Sequence, residues 1–112
     1  MVESSGSGDV NKISPQDRKL YEQEYKNGAK LFQETLDDYA HANSKYQKQA
    51  FKNVMDKALD VLNQSARALN EDKLLQQNAK IQKDYETFKQ QDTPEAQQKL
   101  NDDLSQAKNR VK

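Results

Sequence analysis

The chain has 112 residues, 18 of them basic and 18 acidic, with no cysteine, so one small domain is the natural unit and neither a disulfide nor a thiolate metal site can form. This balance excludes the surplus of Lys and Arg on which nucleic-acid affinity rests, and no apolar run approaches the roughly 18 residues of a membrane span. Leu, Ile, Val and Phe number only 20, but the 14 Gln and nine Asn lower the hydropathy without adding charge, so a thin but ordered core is expected.

Residues 1–13 carry Ser, Gly6, Gly8 and charge without a periodic apolar face and read as a flexible tail or tether. "SPQD" then marks a helix start, with Ser14 as N-cap, Pro15 at the first helical position and Asp17 in the first turn. Tyr21, Tyr25, Gly28, Phe32, Leu36 and Tyr39 recur at steps of three and four, with Ala29 and Ala40 at the margin, which predicts a helix over about 14–41.

The pattern stops at "HANS", where Ser44 followed by Gln47 reads as a capping box. A second helix over about 44–69 has the strongest stripe, Phe51, Val54, Met55, Ala58, Leu59, Leu62, Ala66 and Leu69, and Phe51, Leu62 and Leu69 are expected at the centre of the fold. Continuing that helix would turn the next stripe, Leu74, Asn78, Ile81, Tyr85 and Phe88, about 120° away, so the chain is expected to break near residue 70 with Asn70 as a new N-cap. A third helix over about 71–91 follows. "DTPEA" repeats the opening device with Thr93 and Pro94, and Ala96, Leu100, Leu104, Ala107 and Val111 give a fourth, weaker helix over about 93–110 that is prone to fray. No strand pattern competes. Short links between amphipathic helices predict an all-α fold, a small up-and-down bundle of three to four antiparallel helices over 14–112 behind the disordered tail.

No catalytic, metal or cofactor motif emerges. Asp37 and His41 lie one turn apart, as two metal ligands would, but a site needs three or four, and a His in a last helical turn is explained by the helix dipole. Asp37 and Asp38 point about 100° apart and do not face each other as an acid–base pair must. Asn78 on an apolar stripe either fixes register from the interior or sits unused at its edge. Lys45, Lys48 and Lys52 either pair within the bundle or face an acidic surface. The five tyrosines against three phenylalanines have two readings, half-wet core positions or part of a partner-binding face, and Tyr21 and Tyr25 are the candidates for the latter.

The Ser/Gly-rich stretch at residues 2–13 resembles the start of a mature bacterial lipoprotein, in which a lipidated cysteine precedes such a linker; that cysteine is not in this sequence. The resemblance implies an extracytoplasmic place at the cell envelope, with a removed lipid anchor as the contact with the membrane. The expected function is therefore non-enzymatic protein–protein interaction. A cytosolic helical adaptor or assembly subunit is the alternative, and a metal-binding carrier at Asp37 and His41 is a third.

Overall fold

The structure, a computed structural model, describes residues 13–111. Among these the chain forms four helices and no strand: α1 (Pro15–Ala40), α2 (Lys45–Leu69), α3 (Asp72–Gln90) and α4 (Pro94–Arg110). Short connections reverse the direction each time, which yields an antiparallel bundle 56 Å long and 22 Å across. Each helix packs on its neighbours in sequence and α4 closes the ring against α1; the α1–α2 seam is the most extensive.

Local chemistry sets the starts. Ser14 Oγ accepts the Asp17 amide at 3.0 Å, Ser44 Oγ that of Gln47 at 3.1 Å, and Thr93 Oγ1 that of Ala96 at 3.1 Å. Each satisfies an amide that the helix leaves without a partner. Gln47 reaches back as a capping-box residue does, but its Oε1 accepts from Asn43, one residue before the cap. The break near residue 70 is present, with Asn70 in a different role from the one expected. It adopts the left-handed conformation, φ 53° and ψ 42°, and closes α2, because Asn tolerates that region better than most residues. Glu71 takes the N-cap position of α3 without a side-chain bond, and its carboxylate instead receives Arg18 from the start of α1 at 2.8 Å.

The core runs along all four helices. Tyr25, Phe32 and Leu36 of α1, Met55, Ala58 and Leu62 of α2, Ile81, Tyr85 and Phe88 of α3, and Leu100, Leu104 and Ala107 of α4 are buried. The fourth helix packs on the core: Leu100 and Leu104 are spaced one turn apart and both reach the interior with Ala107 and Val111, while Ala96 is only partly buried. Phe51 departs from expectation. It is only half-buried near the start of α2, and the centre is held by Met55, Ala58 and Leu62. Ile13, assigned to the tail, packs partly buried against the core. The remainder of the tail, residues 1–12, lies outside the described residues.

Gly28 marks where α1 and α2 come closest. A Cβ there would stand 3.1 Å from Val61 Cγ1 and 3.4 Å from Leu62 Cδ2, so those side chains would have to give by a few tenths of an ångström to admit a larger residue. Ala29, Ala58 and Ala66 keep the rest of the seam narrow.

Candidate functional site

Tyr25 does not belong to a partner face. Its side chain is 0% exposed, and its hydroxyl donates across the bundle to Asn78 Oδ1 at 3.2 Å. Burial pushes the phenol well above its ordinary range, with the Arg110 charge opposing. Asn78 is buried in turn and donates through Nδ2 to Asn63 Oδ1, so α1, α2 and α3 are joined through one amide. This answers the question of Asn78: it fixes helix register from within.

Two other tyrosines work the same way. Tyr85 of α3 donates to Asp56 of α2 at 2.7 Å, and Tyr39 of α1 donates to Asp92 in the α3–α4 connection at 2.9 Å. Burial, then the Asp56 hydrogen bond, raises the Tyr85 phenol; the same two causes, with Asp92, push Tyr39 up to about 12. The excess of Tyr over Phe therefore supplies cross-links between elements, each with a buried ring and a paired hydroxyl. Tyr21 is half-buried against the core.

Two of the three candidate lysines turn inward, while Lys45 is exposed and makes no such contact among the described residues. Lys48 lies 3.9 Å from Asp92, and both Lys48 and Lys52 sit over the Tyr39 ring, 5.5 and 5.9 Å from its centroid. Lys48 is thus directed at the α3–α4 connection and Lys52 at an α1 ring. His41 caps α1, with Nδ1 2.8 Å from the Asp37 carbonyl oxygen, as a dipole partner should be. Among the described residues no group of three or more His, Asp or Glu gathers around a metal-sized space, and no helix is long and apolar enough to cross a membrane.

Among the described residues the large apolar side chains that are well exposed lie on two helices. They are Leu20 (55% exposed), Leu31 (43%), Tyr46 (86%) and Val61 (38%), all on α1 or α2. Leu20 and Leu31 are 11 residues apart, which returns to within about 20° of the same direction on α1. Val61 packs beside Gly28, one turn from Leu31, so Leu20, Leu31 and Val61 rim the outer edge of the α1–α2 seam. Sequence periodicity alone passed over these positions because they fall outside the main stripes.

The opposite side holds buried charge. Asp84 of α3 and Asp103 of α4 face each other in the α3–α4 seam, with Lys99 3.6 Å from Asp84 and Lys80 3.3 Å from Asp103. Burial first, and then the hydrogen bond with Asp84, push the Asp103 carboxyl up to about 6, with Lys80 opposing. The Oδ2 atoms of both residues have no hydrogen-bond partner, and a proton taken up by Asp103 at lower pH would supply a donor between them. Neither residue lines any of four surface clefts.

Comparison of the chain with protein-family models, with curated proteins and with solved structures returns no match.

Proposed function

We propose that the protein is a non-enzymatic interaction module that binds another protein through the outer edge of the α1–α2 seam. One observation carries the reading. All four large exposed apolar side chains among the described residues lie on α1 and α2, three of them along one edge, while on α3 and α4 the large apolar side chains are buried or, like Leu75, partly buried. Scattered exposed apolar residues are ordinary, but their segregation to one side of a chain with so few of them is the signature of a contact surface. Tyr21 adjoins Leu20 and lies at the border of this surface; Tyr25 supports it from within.

The tether reading of residues 2–13 places the module at a bacterial cell envelope, where α1 would lie next to the anchor. What supports this is composition and the resemblance of that stretch to lipoprotein linkers. A cytosolic adaptor would use the same edge.

A photo-crosslinking residue placed at Leu31 tests the surface in the source cell, with the same residue at exposed Lys83 of α3 as the control. Adducts to a discrete protein from position 31 and not from 83 are expected, and they should disappear when Val61→Lys is added to a chain of unchanged helicity. Equal adducts from both positions would remove the α1–α2 edge from consideration. Recovery of the adducts in the membrane or the soluble fraction separates the envelope reading from the adaptor reading.

A further inference from the structure

At the end of the bundle where α3 begins and α4 finishes, a cleft of about 380 Å³ is lined by Lys73, Gln76, Gln77, Lys80 and Arg110. Three of these side chains are cations, two are carboxamides, and none is a carboxylate. Three other clefts each contain at least one acid: Asp37 in one, Asp92 in the second, Glu95 and Asp102 in the third. In a chain with no net charge this concentration is local and belongs to the fold.

The cleft has a supporting layer. Lys73 and Lys80 are separated by two turns on one face of α3, about 10 Å along the axis, with Gln76 and Gln77 on the turn between. Arg110 enters from α4. Gln77 is buried; its Nε2 donates to the Asp103 carbonyl at 2.9 Å and its Oε1 accepts from Arg110 Nε at 3.4 Å. The guanidinium is thereby held by its Nε edge, which leaves the terminal nitrogens free to face the cleft. Asp103 holds Lys80 from behind at 3.3 Å. Among the ion pairs of the described residues, neither Lys73 nor Arg110 takes part.

We propose that this cleft binds the phosphoryl group of a phosphate monoester. Such a group carries between one and two negative charges and three oxygens at pH 7, which matches two uncommitted cations plus Lys80 and the Gln76 amide. A guanidinium fork engages two phosphate oxygens at once, and the ammonium groups act as point charges around it. A simple carboxylate, with one charge and two oxygens, would leave a cation unmatched. The site is distinct from the α1–α2 edge, and its failure would leave the protein-binding reading untouched.

The test is a titration of the full chain with inorganic phosphate at constant ionic strength, followed by backbone amide shifts, beside sedimentation with phosphatidylcholine vesicles made with and without phosphatidic acid. Saturable shifts confined to Lys73, Gln76, Gln77, Lys80 and Arg110 are expected. Arg110→Gln and Lys73→Gln should each weaken binding by about tenfold or more, because each removes a charge-assisted contact. Lys73→Gln leaves the Gln77 and Asp103 hydrogen bonds in place and so separates lost binding from lost structure. Lys45→Gln, at the far end of the bundle, should leave affinity unchanged. Phosphatidic-acid-dependent sedimentation that Arg110→Gln abolishes would assign the phosphate to a lipid headgroup; saturation by inorganic phosphate without vesicle binding would assign it to a soluble ester. Shifts spread equally over Lys45 and Lys83, or an affinity indifferent to both cleft variants, would overturn the proposal.

Discussion

The two hairpins of the bundle solve the same shortage of apolar residues in different ways. In α1–α2 the seam is narrow, built on Gly28, Ala29, Ala58 and Ala66, and its buried polar groups are the small hydroxyls of Thr35 and Ser65. Close backbone approach brings many weak contacts to bear, and larger apolar side chains are left over for the outside. In α3–α4 the buried polar groups are Gln77, Asn78, Asp84 and Asp103, and hydrogen bonds and ion pairs replace part of the missing hydrocarbon. No large apolar side chain is well exposed there among the described residues. One hairpin is accordingly suited to apolar contact, while the other carries charge and its geometry depends on proton and ion balance.

What joins the hairpins sets the largest expected effect. Phe32 of α1 meets Tyr85 of α3 edge to face at 5.1 Å, and Tyr39 meets Phe88 in the same manner at 5.2 Å. Phe32→Ala should cost about 3–5 kcal/mol, since the ring is fully buried and its cavity opens between the hairpins. Domains of this size hold only about 0.05–0.15 kcal/mol per residue, so the variant should lose a large fraction of the total stability. Half-buried Phe51, which touches the core from near the start of α2, should cost about half as much when cut to Ala. Urea midpoints decide the order. A larger loss at Phe51 would show that the α1–α2 hairpin is anchored from its end and that the aromatic contacts between hairpins are secondary.

Phe51 also shows where sequence periodicity stops. A stripe reveals which side of a helix faces inward, but not which of its members meets the middle of the bundle, because that depends on where the partner helices begin and end. Helix starts were legible at Ser14, Ser44 and Thr93 because a cap is settled within four residues. The break at residue 70 was legible from the change of phase, whereas the role of Asn70 was not, since N-cap and left-handed C-cap favour the same residue. Tyr25 was mistaken for an edge because a hydroxyl reads as a wish for water until Asn78 is brought to it from 53 residues away. The Asp84–Asp103 pair and the cleft around Arg110 combine residues of α3 and α4 whose meeting requires the register of two helices.

The acid pair gives the second effect, and it belongs to α3–α4 alone. Asp103 is held at about 6 against an ordinary 3.8, and it faces Asp84 and Lys80 from α3, with Lys99 on its own helix beside Asp84. A carboxyl whose folded pKa is raised adds stability that is fully present below the unfolded value and is lost as pH rises through the folded one. Wild type should therefore lose on the order of 1–2 kcal/mol between about pH 4 and about pH 7 relative to Asp103→Asn, with allowance for screening by nearby solvent and lysines. Only the slope is read, because the substitution also removes the partner of Lys80. Parallel pH profiles of wild type and variant would mean that Lys80 and Lys99 neutralise the pair completely, and the contrast between hairpins would then lie in shape rather than charge.

The smallest effect tests the contrast from the α1–α2 side and runs in the opposite direction. Ser65 is buried in α2, and its Oγ has no hydrogen-bond partner. The space around it suits a small residue, but nothing there uses the hydroxyl. Ser65→Ala keeps the volume nearly constant, removes an unsatisfied polar atom and improves helix propensity, so a gain of about 0.5–1.5 kcal/mol is expected. Asn78→Ala is the contrasting deletion, at the amide that ties α3 to the first hairpin. It strands the Tyr25 hydroxyl and Asn63 without their shared partner and opens a cavity, so it should destabilise by about 1–3 kcal/mol. Opposite signs in the thermal midpoints of these two variants are what the two-hairpin picture requires. If Ser65→Ala also destabilises, its hydroxyl has a partner in the folded protein, and the α1–α2 seam is then held by polar contacts as the α3–α4 seam is.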